Sequence, residues 1–175
     1  NADQIRGAGA RGADAILRAD DSGTQQPMLI SPKHWRLIFR DCYAQLVDEI
    51  HAQGMHAWFH SCGHIRPIIP DLIEIGFDLL HPLQPSSMDL AEIVETFRGQ
   101  ICFGGGIDVQ ALLPVAQPEE VEREIRGLID LLDGPHGGYL MAPTNSIMPE
   151  TPLENIESMV RAAEAYGQLK RQAQV

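Results

Sequence analysis

"HAWFHSCGHIRPIIPDLIEIGFDLLHPL", residues 56–83, reads as strand, turn, short helix and strand in succession. Its apolar run, Ala57 to Phe59, leads into His60, Ser61 and Cys62. Two side chains one residue apart point the same way only on an extended backbone, where side chains alternate faces. On a helix the same pair would stand about 200° apart around the axis. A strand over 56–62 therefore aims the His60 imidazole and the Cys62 thiol at one point, just before Gly63. Ile68 to Ile75 then reads as a helix closed by Gly76, and "FDLLHPL" (77–83) as the next strand.

The same alternation extends in both directions. "DAILRAD" (14–20), "QICFGGG" (100–106) and "GYLMAPT" (138–144) complete five strand-like runs. Their near-continuous apolar character suits strands covered on both faces, as in parallel sheets. Helices are expected from Ser31-Pro32 to Gly54, from a capping box at Ser86 and Asp89 to Gly99, and from Pro118 to Gly134. A last helix starts at the T-x-x-E box of Thr151 and Glu154 and ends at Tyr166-Gly167. "NADQIRGAGARG" reads as the last turns of a helix ended by Gly12, with further chain expected upstream.

Strand–helix alternation implies parallel βαβ units, in an open doubly wound sheet or a (β/α)8 barrel. "GGGID" follows a strand, but its glycines lack the spacing of a dinucleotide site. Every strand ends in polar or small residues: Asp20-Asp21, His60 with Cys62, His81 with Gln84, Gly104 to Asp108, and Asn145. Function gathered at strand C-termini favours the barrel. The fold class expected is α/β, with residues 1–175 as one partial barrel domain of five parallel strands and the N-terminal strands absent.

Composition narrows the partners. The formal charge of −11, with basic residues scattered, disfavours a nucleic-acid backbone. Apolar runs stay short of the roughly 18 residues a membrane span needs. Cys42, Cys62 and Cys102 are an odd, widely spaced set, which points to free thiols and a cytoplasmic setting. Five strands cannot close a barrel and leave unpaired edges, so a homo-oligomer or a missing N-terminal segment is expected.

His60 and Cys62 are zinc-ligand types, although a strand-end Cys is often a small hydrophobe and a His a hydrogen-bonded core residue. Asp20 and Asp21 suit a metal or a general base, or else cap the turn at Ser22-Gly23. Gly104, Gly105 and Gly106 bring backbone close to a ligand, or serve a turn that needs positive φ. His51, His56, His64 and His136 read as solvated, Trp35 and Trp58 as core.

Together, "DDSGTQQPMLISPKHWR" (20–36), "HSCG" (60–63), "GFDLLHPLQP" (76–85), "FGGGIDVQALLP" (103–114) and "GGYLMAPTNSIMPETPLENIESM" (137–159) resemble the uroporphyrinogen decarboxylase superfamily. The resemblance implies a (β/α)8 barrel of which this chain holds the last five strands. It also implies one of two chemistries. The decarboxylases act without cofactor on a tetrapyrrole, as lyases of porphyrin biosynthesis. The methylcobalamin:coenzyme M methyltransferase-like branch binds zinc through H-x-C at the position of His60 and Cys62, plus a Cys on the terminal strand. Asn145 stands where one branch has a catalytic-type His and the other that Cys.

H-x-C-G and G-G-I-D place the chain nearer the methyltransferases. The resemblance then implies zinc activating a small thiol toward a methyl group carried by a corrinoid on a partner protein. Because Asn145 is a poor ligand, Asp20, Asp21, His81 or Asp108 would have to supply the third donor. Asp20, Asp21, His81 and Asn145 are the candidate catalytic residues. Gly104, Gly105, Gly106, Asp108 and Gln84 are the candidate substrate contacts, and His60 and Cys62 the metal ligands. The alternatives are a carboxy-lyase and a truncated barrel without turnover.

Overall fold

The computed structural model describes residues 2–173. Helices α1 (Ala2–Gly9), α2 (Pro32–Ile38), α3 (Arg40–Ala52), α4 (Ile69–Ile75), α5 (Leu90–Phe97), α6 (Pro118–Leu132) and α7 (Leu153–Ala173) alternate with five strands. These are β1 (Ala15–Ala19), β2 (His56–His60), β3 (Leu79–Leu83), β4 (Cys102–Ile107) and β5 (Tyr139–Pro143). All five expected strands form, each a residue or two shorter than its apolar run. The chain folds as two compact units, one up to His81 together with Gln100–Cys102, the other Pro82–Gly99 with the chain from Phe103 on.

In the first unit β1, β2 and β3 are parallel, with Ala19 paired to His60 and His60 to His81. Along β2 the faces alternate: Ala57 and Phe59 are buried, Trp58 and His60 only partly so. The buried face packs on an aromatic cluster. Tyr43 stacks on Trp35 at 5.6 Å and meets Phe59 edge-on at 5.5 Å, and Phe59 lies 5.1 Å from Phe77. Each such pair adds roughly 0.5–1.5 kcal/mol beyond its buried area. Trp35 is thus core as expected, whereas Trp58 lies on the other face, beside His60.

The helix expected over Ser31–Gly54 is two helices. Ser31 caps α2 by accepting the His34 N–H, and the chain breaks at Phe39, where φ is −110°. Arg36 and Arg40, on either side of that break, both reach Asp71 of α4. Arg36 does so with a two-nitrogen fork at 2.8 Å to each carboxylate oxygen, and Asp71 is buried. This pairing holds α2 over α4.

In the second unit β4 and β5 are parallel, Gly105 pairing with Met141. Gly105 and Gly106 have φ of +98° and +91° within β4, a region side chains rarely enter. A Cβ on Gly105 would stand 2.9 Å from the Pro82 side chain, and one on Gly106 3.2 Å from the Tyr139 hydroxyl. Packing and backbone shape therefore account for both glycines. Helix α6 packs on α7. Buried Asn155 donates to the Leu113 and Ala116 carbonyls at 2.9 and 2.8 Å, and Ser158 to the Pro118 carbonyl at 2.7 Å.

Three expected termini differ. Asp89 itself caps α5, accepting the Ala91 and Glu92 N–H groups, so no box forms with Ser86. The Thr151 hydroxyl is buried without a hydrogen-bond partner, leaving the expected box at α7 open. Helix α7 also runs through Gly167 to Ala173. A glycine inside a helix costs about 1 kcal/mol, and contacts on α6 flank it on both sides: Tyr166 and Lys170 both bond Asp130. Finally, β1 is not covered on both faces. Leu17 is 52 % exposed and Arg18 and Ala19 are exposed too.

Candidate metal centre

The site grows from the extended end of β2. The alternation of that strand continues past it, so Ser61 is buried while His60 and Cys62 share the opposite face. The Cys62 Sγ lies 3.6 Å from His60 Nε2. Asp21, in the loop after β1, brings its Oδ1 to 3.9 Å from the same nitrogen. One donor atom from each of the three lies within 4.8 Å of the others.

Hydrogen bonds between the two loops set this geometry. Asp21 Oδ1 accepts the Cys62 N–H at 2.9 Å, Ser61 Oγ accepts the Ser22 N–H at 2.9 Å, and the Thr24 carbonyl accepts the His64 N–H at 2.7 Å. The third donor is thus tied to the backbone of the second.

Of the acidic pair, the structure brings Asp21 to the cluster and not Asp20. Adjacent residues on extended chain face opposite ways. Asp20 accepts the Tyr43 hydroxyl at 2.8 Å and pairs with Arg18 at 2.6 Å, while its N–H donates to the His60 carbonyl. Burial, and then the Asp20 carboxylate, push the Tyr43 phenol well above its ordinary range. Asp20 is therefore a structural anchor between β1 and α3.

His81 joins the cluster from β3, its Nδ1 2.8 Å from His60 Nδ1 with the rings tilted by 32°. The remaining expected residues belong to the second unit. Gly104, Gly105 and Gly106 are buried in β4. Asp108 Oδ1 accepts the Gln110 and Ala111 N–H groups at 2.6 and 2.8 Å, closing the turn after β4. Gln84 donates to Ser86 Oγ at 3.1 Å, and exposed Asn145 accepts the Ser146 N–H at 2.7 Å. Of the histidines expected to be solvated, His51, His56 and His136 are exposed and His64 is half-buried.

The donor set fits zinc. Tetrahedral zinc with bonds of 2.0–2.3 Å holds oxygen, nitrogen and sulfur donors about 3.3–3.6 Å apart. The sulfur–nitrogen pair meets that spacing, and the Asp21 oxygen, 3.9 Å from the nitrogen and within 4.8 Å of the sulfur, would close in on both when the ion binds. Carboxylate, imidazole and thiolate are all zinc ligands, and three protein donors leave the fourth position open. Cys42, Cys62 and Cys102 are free thiols, so Cys62 is not committed to a disulfide.

Comparison with known proteins places the chain. Residues 1–166 match the family described as uroporphyrinogen decarboxylase. The chain belongs to the uroporphyrinogen decarboxylase family. Two curated relatives of this decarboxylase-family chain are methylcobamide:CoM methyltransferases MtaA, one from Methanosarcina barkeri and one from its strain Fusaro. They are 26 % and 24 % identical to it over 156 residues, covering 89 % of this chain and 42 % of the relatives. Among solved structures, a methyltransferase from Methanosarcina mazei superposes with a TM-score of 0.74 at 22 % identity, over 93 % of this chain and 45 % of that one. The citrate synthase SbnG matches at a TM-score of 0.53 and 10 % identity, over 95 % of this chain and 71 % of that one. These likenesses show a common fold: parallel strands alternating with helices, as in part of a (β/α)8 barrel. The chain spans less than half the length of the curated relatives it matches. Among the described residues, no helix is long and apolar enough to cross a membrane.

Proposed function

We propose that this chain carries the zinc centre of a methyl-transfer reaction, from a corrinoid or another methyl donor to a small-molecule thiol. The observation that carries the reading is the convergence of Asp21, His60 and Cys62 on one point. Zinc bound there would act as a Lewis acid, lowering the pKa of a coordinated substrate thiol. The residues supply the rest. Asp21 and the Cys62 thiolate bring two negative charges and His60 none, which balances a divalent cation. The Cys62 N–H holds the Asp21 carboxylate in place, so a donor on an exposed loop is oriented in advance. His60, only 19 % exposed in its side chain, keeps water from one flank of the cluster.

The methyltransferase names of the curated relatives support the same chemistry, and a corrinoid protein is the partner it implies. Association with a second copy belongs to this reading as well. Strand β1 exposes Leu17 along a sheet edge, and such edges invite pairing.

The test is an assay of methylcobalamin demethylation by a small thiol, with zinc-loaded and chelator-treated protein. Loss of the methylcobalamin spectrum that requires zinc and disappears in Cys62→Ser is the expected result. Decarboxylation of a tetrapyrrole by the metal-free protein would replace this reading with the carboxy-lyase.

A further inference from the structure

A histidine that binds a metal through one ring nitrogen must carry its proton on the other, and something must accept that proton. The usual acceptor is a carboxylate or a backbone carbonyl. His60 meets the metal cluster through Nε2, which faces Cys62 Sγ at 3.6 Å and Asp21 Oδ1 at 3.9 Å. Its Nδ1 faces the ring nitrogen of another histidine, His81 Nδ1, at 2.8 Å. We propose that His81 is the positioning residue of this centre: it accepts the His60 Nδ1 proton and so leaves Nε2 with its lone pair toward the metal.

Register makes the contact possible. His60 and His81 are direct partners across the parallel β2–β3 pair, so their side chains leave the sheet on the same face. Strand pairing therefore sets the separation of the rings, with centroids 5.0 Å apart. Two Nδ1 atoms this close share a single proton, because two N–H groups cannot point at one another. The choice has two solutions. If His60 donates, its Nε2 is bare and able to ligate. If His81 donates, neutral His60 carries its proton on Nε2, in the position a metal needs. Without a metal, the Cys62 and Asp21 acceptors draw the proton to Nε2. Zinc bound there takes that position, which puts the His60 proton on Nδ1, where His81 is the group in reach to accept it. His81 thus holds His60 in its ligating tautomer without touching the metal itself.

The inference rests on the zinc reading, and the test separates the two. Long-range 15N–1H correlation spectra of 15N-histidine-labelled, zinc-loaded protein report which ring nitrogen of His60 and of His81 carries the proton. Zinc affinity is measured in parallel by competition with a chromophoric chelator. The variants are His81→Asn, whose side-chain oxygen sits where His81 has Nδ1, and His81→Phe, which fills the space without an acceptor. Wild type is expected to show His60 protonated at Nδ1 and His81 at Nε2, and His81→Asn to bind zinc comparably. His81→Phe is expected to lose about 10- to 100-fold in affinity. Finding His81 protonated at Nδ1 in zinc-loaded wild type would overturn the proposal. So would unchanged affinity in His81→Phe, or His81→Asn impaired as much as His81→Phe. Wild type that binds no zinc would instead remove the metal centre on which the inference rests.

Discussion

Gly23 and Gly63 lie against each other where the loops after β1 and β2 cross. A Cβ on Gly23 would stand 2.7 Å from the Cys62 carbonyl oxygen, and one on Gly63 would overlap the Thr24 carbonyl. Gly63 also has φ of +82°, which costs a residue with a Cβ roughly 1–2 kcal/mol. The crossing is what brings Asp21 beside Cys62. Alanine at either glycine should separate the loops and weaken zinc binding, and Gly63→Ala should also lower stability by more than about 1 kcal/mol. Urea unfolding and zinc competition on the two variants check this. Wild-type zinc affinity in Gly23→Ala would mean that the crossing does not set the site.

Asp78 gives a pH dependence. Burial raises its carboxyl, but the His51 hydrogen bond at 2.9 Å and the Ala57 N–H outweigh that, and the group titrates below its ordinary range. A folded-state pKa below the unfolded one contributes stability that is complete above the unfolded value, about 4, and is lost as pH falls through the folded value. The advantage of wild type over Asp78→Asn should therefore be full at neutral pH and shrink only in the acid range. Urea midpoints of both proteins across that range measure it. An equal gap at all pH values would contradict the assignment.

Asn155 links α7 to the turn after β4 through two carbonyls, and it is 1 % exposed. Asn155→Leu leaves the buried Leu113 carbonyl and the half-buried Ala116 carbonyl without this donor, for an expected loss of about 1–3 kcal/mol. Asn155→Asp should fare little better, because its oxygens cannot donate. Chemical unfolding of both variants tests the claim, and a neutral effect of Asn155→Leu would show that water replaces the amide.

Much of this arrangement was legible in the residues. The H-x-C pair at a strand end announced a shared face, and β2 confirms it through alternation. The acidic pair offered two candidate donors, but which of the adjacent aspartates turns toward His60 and Cys62 depends on a loop crossing that no local pattern shows. The cross-loop contacts of Ser61, Gly23 and Gly63 went unread for the same reason: each acts on a segment about 40 residues away in the chain. Only strand register makes His60 and His81 neighbours. The break at Phe39 carries no glycine or proline to mark it. At Gly167 the local signal for a helix end was real, and pairing with α6 overrode it.

Whether Asp21, His60 and Cys62 hold a metal is decided by zinc titration into chelator-treated protein, comparing wild type with Asp21→Asn, Asp20→Asn, His60→Ala and Cys62→Ala. One zinc per chain is expected in wild type, with binding lost in His60→Ala and Cys62→Ala, weakened in Asp21→Asn and kept in Asp20→Asn. Equal binding by wild type and Cys62→Ala, or greater damage from Asp20→Asn than from Asp21→Asn, would contradict it.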